Sequence, residues 1–235
     1  MKMKYFFPLI ALSLSVNASV HTMGQKSLDS FTSIFEKQNI FVATPDVKPK
    51  DIQLFLNEFK KFPPALHKEM MRSGAKIHLI HGQGVNDDPT WPREYSDTFD
   101  GRAWNGVPGA GGFPFAGEPT RIVINSLNNR HGSSNLVLHE HAHSLDSTYS
   151  NFGISSSHTW KKLMADNPQV EEYMNKKCPQ RYCTDNEVER FAELFSLYHH
   201  SNETREEMEK IVPKIARFFK NLRTAEDLER VGKNY

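Results

Sequence analysis

The segment Leu136-Val-Leu-His-Glu-His-Ala-His-Ser-Leu-Asp146 constrains this chain more than any other. On a helix, His139 and His143 stand four residues apart and project side by side, so two imidazoles can grip one ion. Glu140 completes His-Glu-x-x-His, in which the imidazoles bind zinc and the carboxylate takes a proton from an activated water. Leu136, Ala142 and Asp146 share the face of the histidines, giving a half-apolar face turned inward, where two imidazoles without a metal are hard to satisfy. His141 points elsewhere, and Ser133 or Ser134, after Gly132, supplies the helix start. Taken alone, the pentapeptide also suits a hydrogen-bonded pair of core histidines, so the rest of the chain has to decide.

Lys2 and Lys4, the apolar run Tyr5 to Val16 and the small-residue site Val16-Asn17-Ala18 read as a signal peptide over residues 1–18, so the mature chain is expected to be exported. No other segment is long and apolar enough to span a bilayer. Removing that segment takes the formal charge from +1 to −1, and neither value points to nucleic acid or an anionic membrane. With 235 residues and no internal repeat, one sizeable domain is expected. Helical spacing of Leu28, Phe31, Ile34 and Phe35, and again of Ile52, Leu54, Phe55, Leu56 and Phe59, predicts two amphipathic helices. With Pro45, Pro49, Pro63 and Pro64 between and after them, residues 19–74 form a helical lead-in to a core over 75–235.

Lys76 to His81 alternates apolar and polar residues and predicts a half-buried strand whose His78 and His81 face away from the core. Gln83 to Pro119, centred on Gly106-Val-Pro-Gly-Ala-Gly-Gly112, reads as a long loop or a pair of irregular strands. Arg121 to Asn125 is a second strand, running by a short turn into the histidine helix. A strand just ahead of such a helix can receive an extended peptide by main-chain hydrogen bonds. Gly109, Gly111 and Gly112 either allow the backbones to approach closely or only make turns.

A zinc hydrolase needs a third protein ligand. The extended metzincin pattern fails, because Asp146 and Tyr149 stand where it requires glycine and a third histidine, so the ligand comes from downstream. In Tyr182-Cys-Thr-Asp-Asn-Glu-Val-Glu-Arg-Phe-Ala-Glu-Leu-Phe195, the residues Val188, Phe191, Ala192, Phe195 and Tyr198 make an apolar helical stripe flanked by Glu189 and Glu193. Like charges at this spacing repel unless a cation lies between them. Asn186-x-x-Glu189 also fits a capping box, and Thr184-x-x-Glu187 is a rival frame that leaves Glu189 free. Cys178 and Cys183 are the only cysteines, and in an exported protein they predict a disulfide beside Tyr182; a zinc-binding pair would need two further ligands. Beyond them, Met208, Ile211, Ile215, Phe218, Phe219 and Leu222 continue helical spacing, with Pro213 as a kink or a new start, and His199 and His200 can cap the preceding helix.

Leu-His-Glu-x-x-His-x-x-Asp paired with Tyr-x-x-x-Asn-Glu-x-Glu-x-Phe-Ala-Glu-x-Phe, together with the Val-Pro-Gly-x-Gly-Gly loop, resembles the catalytic domain of anthrax toxin lethal factor and the related Pro-Pro endopeptidases over about residues 50–222. The resemblance implies a zincin-like α+β fold, a small mixed sheet over two metal-binding helices with further N- and C-terminal helices. It implies one zinc per chain on His139, His143 and Glu189, Glu140 as general base, Tyr182 aimed at the developing oxyanion, and Glu193 orienting a ligand histidine. A peptide or protein substrate is then expected as an extended strand antiparallel to Arg121–Asn125, touching Gly111, Gly112, Ile122 and Ile124, on a monomeric enzyme. Arg190 and Cys183 depart from the family pattern. Some relatives prefer proline on both sides of the cleaved bond while lethal factor cuts quite different partners, so the resemblance leaves that preference open. Two other classes stay open on the residues: a catalytically inactive binding module or toxin-like domain of the same fold, and a zinc-stabilised structural domain in which Glu140 has no task.

Overall fold

A computed structural model of the chain describes residues 41–89, 91, 98–99, 102–104, 106–112, 121–125, 132–149, 153–178, 183, 186–223 and 226–227. The expected signal peptide, the first amphipathic helix and Tyr182 lie outside the described residues. Strands β1 (Phe41–Ala43), β2 (Lys76–Leu79), β3 (Thr98–Phe99), β4 (Arg102–Ala103), β5 (Gly109–Gly111) and β6 (Arg121–Ile124) accompany helices α1 (Pro49–Phe59), α2 (Pro64–Arg72), α3 (Leu136–Tyr149), α4 (His158–Ala165), α5 (Gln169–Lys177), α6 (Glu187–His200), α7 (Asn202–Ile211) and α8 (Pro213–Asn221). The architecture is α+β, as expected.

The prolines that punctuate the sequence start helices. Pro49, Pro64 and Pro213 each occupy the first turn, where a missing N–H removes no intrahelical bond. Pro213 therefore begins α8 and does not kink a longer helix. Side-chain caps set other starts: Ser157 accepts from the Trp160 N–H and Ser201 from the Thr204 N–H.

The main sheet has the order β1-β2-β6-β5, with β1, β2 and β6 parallel and β5 antiparallel to β6. Ile77, Leu79, Ile122 and Ile124 bury one face against Phe55, Leu56 and Phe59 of α1, Met70 of α2 and Leu136 and Val137 of α3. The other face carries Ile80 and Val123, covered by Val85, Trp104 and Ala110. A second and larger core joins Leu138, Ala142 and Leu145 of α3 to Phe191, Ala192 and Phe195 of α6, closed by Trp160, Tyr173, Met208, Ile215 and Phe219.

Two expectations about the strands are corrected. His78 does not face solvent: it is buried on the second sheet face, its Nδ1 3.0 Å from Asp88 Oδ2, because the chain after β2 folds back over that face. His81 is exposed as expected. Arg121–Asn125 cannot take up a peptide, since β6 pairs with β2 on one side and β5 on the other, and Ile122 and Ile124 are 0 % exposed. Among the described residues the sheet ends in β1 on one side and β5 on the other, and β5 lies within the glycine-rich run that sequence patterning reads as a long loop or a pair of irregular strands.

Candidate metal centre

Helix α3 starts at Asn135, not at the serines. The Asn135 Oδ1 accepts the Leu138 N–H at 3.2 Å, while the Ser133 Oγ accepts the N–H of Asn135 itself. An asparagine directly before the first apolar residue of the helix was the available signal. The same residue joins three helices: its amide donates to Glu58 of α1 and lies 3.1 Å from His200 Nδ1 of α6, and its carbonyl accepts from the Ser196 Oγ. His200 thus meets Asn135, and a carbonyl in the last turn of α6, that of Tyr198, is met by Arg205.

From α3, His139 and His143 face α6, which presents Glu189 and Glu193 in return. The Asn186 Oδ1 caps α6 by accepting the Glu189 N–H at 3.0 Å. The Glu189 carboxylate does not close this cap but reaches across to both imidazoles, so cap and site coexist. Its Oε2 is 3.1 Å from His139 Nε2 and 3.4 Å from His143 Nε2, and the two nitrogens are 3.0 Å apart. Zinc bonded at 2.0–2.1 Å in tetrahedral geometry holds its donor atoms ~3.3 Å from one another. The three atoms therefore fit one such ion, and among the described residues they are the group of metal-ligating side chains that converges in this way.

His139 is wholly buried between two carboxylates. Its Nδ1 lies 3.2 Å from Glu193 Oε2, and Glu193 Oε1 accepts the Ser134 N–H at 3.0 Å. A carboxylate at Nδ1 keeps the proton there and turns Nε2 toward Glu189. Burial pulls the His139 imidazole down, but its hydrogen bonds to Glu189 and Glu193 outweigh this and hold it up at about 10. Burial pushes Glu189 up, yet His143 and His139 hold it well below the usual carboxylate range, and Glu193 is lowered in the same way by His139. The two glutamates of α6 thus tolerate each other because an imidazole sits between them.

Glu140 is buried, and burial raises its carboxyl against the pull of His139 and His143. It lies beneath β5, whose glycines permit an unusual approach. A Cβ on Gly111 would fall 1.9 Å from the Glu140 carbonyl oxygen, and one on Gly112 2.7 Å from that of His143. Close approach thus holds at Gly111 and Gly112, and Gly112 also has φ +93°, a backbone conformation that favours glycine.

Cys178 and Cys183 form the expected disulfide, with both residues fully buried in the larger core. Val188, placed by its spacing in the apolar stripe, is instead 41 % exposed, because the first turn of α6 projects beyond that core. Asp146 accepts from the Ser155 N–H and Oγ at 2.7 and 2.6 Å, tying the metal helix to the chain entering α4. His141 packs against Phe59 and Phe62, away from the site as expected.

The profile of the family described as "Anthrax toxin lethal factor, N- and C-terminal domain" matches residues 27–222. A Pro-Pro endopeptidase of Clostridioides difficile (strain 630) is 26 % identical over 223 residues, covering 91 % of this chain and 93 % of its own. One from Paenibacillus alvei is 24 % identical over 238 residues, covering 94 % and 99 %. The solved structure of the Pro-Pro endopeptidase PPEP-2 from Paenibacillus alvei has the same fold, with TM-score 0.60 at 22 % identity, covering 78 % of this chain and 97 % of that one.

Proposed function

The chain belongs to the anthrax toxin lethal factor family and is a peptidase, and from that premise we propose that it is an exported zinc endopeptidase with His139, His143 and Glu189 as metal ligands and Glu140 as general base. The observation that carries this reading is the donor triangle of 3.0, 3.1 and 3.4 Å contributed by two helices. A zinc ion held there supplies a Lewis acid and lowers the pKa of a bound water towards ~7. Glu193 holds Nδ1 of His139, which keeps the ring oriented for its ligand role. Glu140, raised by burial, has the proton affinity a base needs: it accepts the proton of the attacking water and passes it to the departing amine. Tyr182 keeps the oxyanion role that the family resemblance implies for it. Among the described residues no helix is long and apolar enough to cross a membrane.

The substrate lies as an extended strand along β5. The Ile80 N–H donates to the Ile124 carbonyl and the Asn125 N–H to that of Pro108, so the β6 residues that face β5 are Val123 and Asn125. By the alternation of an antiparallel ladder, Ala110 bonds inward to Val123 while Gly109 and Gly111 turn their main-chain groups to the outer edge, where the Gly111 N–H meets the Glu140 carboxylate. A peptide added there runs past Glu140. Gly111 and Gly112 keep their expected place in substrate binding, and Ile122 and Ile124 give theirs to Gly109. The names of both curated relatives make a proline-flanked bond the first to assay.

Metal analysis combined with digestion of a diverse peptide pool tests the reading. One zinc per chain with internal cleavage is expected. Glu140→Gln should keep the zinc and lose turnover, whereas Glu189→Ala should lose the zinc. A zinc-loaded wild-type protein that cleaves nothing in the pool would leave the structural-domain reading in its place.

A further inference from the structure

Three of the four residues from Gly109 to Gly112 lack a side chain, and the segment leans on α3 over two helical turns. It meets Leu136 and Glu140 at one end and the backbone of His143 at the other. Glycines permit this approach but do not determine where along the helix the strand comes to rest, because a bare backbone has no shape to lock. Directional bonds must do that. The Gly111 amide is turned to the Glu140 carboxylate, but this is the group that moves a proton and cannot be a permanent tether. The ladder ties β5 to β6, and against α3 the other bond among the described residues is from the Gly112 N–H to the Ser144 Oγ at 3.0 Å. Ser144 is fully buried, follows His143 directly and stands one turn beyond Glu140. The neighbouring hydroxyls of Ser147 and Thr148 bond back to helix carbonyls.

We propose that Ser144 is a positioning residue for the peptide substrate: its hydroxyl sets the register of edge strand β5 against the metal helix, and so decides which peptide bond lies over Glu140. The inference rests on the proposed function in one respect, that β5 is the strand that receives the peptide. A slip of one residue would move the docked chain by ~3.3 Å and exchange its faces. A displacement of even ~1 Å between reacting groups can lower the rate ~100-fold. A single hydroxyl in this place therefore acts on the choice of bond without touching the metal.

The test compares wild type, Ser144→Ala and, as a control that leaves the tether intact, Ser147→Ala. Zinc content, kcat, KM and the distribution of cut sites are measured on the peptide pool. Ser144→Ala is expected to bind one zinc, to raise KM about fivefold, roughly the worth of one hydrogen bond, and to spread cleavage to the neighbouring bond; Ser147→Ala is expected to match wild type. A folded Ser144→Ala protein with wild-type KM and a single cut site overturns the proposal, since a residue that only stabilises the fold would lower the melting temperature and move neither. Amide hydrogen exchange on the zinc-loaded wild type is the second measurement: Gly112 should exchange as slowly as Ala110 in the ladder, and rapid exchange at Gly112 overturns the tether even if the variant fails to fold. A wild type that cleaves no peptide refutes the proposed function, while the exchange result still reports on Ser144.

Discussion

Replacing Gly111 by alanine puts a methyl group where no atom fits. The new carbon would stand 1.9 Å from the carbonyl oxygen of Glu140, 2.7 Å from its carbon and 3.0 Å from its Cα. All three are backbone atoms of the metal helix, so no side chain can rotate aside. Side-chain carbons essentially never come within 3.0 Å of such neighbours, so β5 and α3 must separate by at least about 1 Å. Over-packing of this kind costs about 1–3 kcal/mol, and in a domain of this size each kcal/mol lowers the melting temperature by roughly 2–4 °C. The larger effect falls on catalysis. The retreating strand carries the docked peptide away from Glu140, and a shift of ~1 Å predicts a loss of ~100-fold in kcat/KM.

The assay is steady-state cleavage of the best peptide by Gly111→Ala, with zinc content and melting temperature measured on the same sample. Gly106→Ala is the companion variant: Gly106 has φ +88° but nothing within 4 Å of a Cβ, so it suffers backbone strain without a clash. It should lose about 1 kcal/mol of stability and keep kcat/KM within about twofold. Zinc-replete Gly111→Ala with kcat/KM close to wild type would refute the reasoning, because the approach of β5 to α3 would then have no part in placing the substrate.

Glu193→Gln preserves shape but removes the charge at His139 Nδ1, and should weaken zinc binding about 10–100-fold in a chelator competition. Because His139 is held up at about 10 without metal, zinc must displace its proton; calorimetry in buffers of different ionisation enthalpy should find net proton release, and affinity should fall as pH falls. In the metal-stripped protein the sign reverses: a folded-state value above the ordinary 6.5 gives stability that is complete below pH 6.5 and lost as pH rises towards about 10, which thermal melts across that window would register. Cys178→Ser with Cys183→Ser opens a short loop and should cost about 2 kcal/mol in urea unfolding; two titratable thiols in unfolded, unreduced wild type would contradict the bridge. Tyr182→Phe should bind zinc normally and lose roughly 100-fold or more in kcat, as expected for removal of an oxyanion donor.

The parts of this fold that the sequence makes legible are those whose information is local. His139 and His143 lie one helical turn apart, as do Glu189 and Glu193, and the 3.6-residue period alone places each pair on one face. The disulfide is likewise a short-range matter of two cysteines in a small loop. What escapes is set by long-range pairing. Glycine is depleted in strands, so the pattern around Gly109–Gly111 cannot choose between loop and irregular strand; it becomes a strand because β6 and α3 hold it between them. Whether β6 has a free edge depends on which strands flank it, and no pattern within Arg121–Asn125 encodes that. For His78, the alternation correctly puts it opposite Ile77 and Leu79, but whether that face meets water depends on Val85 and Trp104. Asn135 was open to local reasoning, and the serines just before it competed for the same role.

The way the donor triangle is held also bears on whether zinc makes this fold or only works in it. A domain that needs its metal to fold has few other reasons for its ligands to be near one another. Here the two ligand helices already share a core in which Leu138, Ala142 and Leu145 meet Phe191, Ala192 and Phe195. Polar bonds repeat the connection at the start of α3: Ser196 to the Asn135 carbonyl, Glu193 to the Ser134 N–H, and Glu193 again to His139. Even without the ion, a proton on His139 offsets part of the negative charge of the carboxylates on either side. The site is thus preorganised, and metal binding is an exchange of that proton for a dication in a scaffold that is already built. Removing the metal should therefore abolish turnover while leaving the helices packed, so far-ultraviolet circular dichroism of the chelator-treated protein should match the loaded form. Collapse of the helical signal on chelation would mean that the apolar seam between α3 and α6 is too weak to stand alone, and would return the structural-zinc reading.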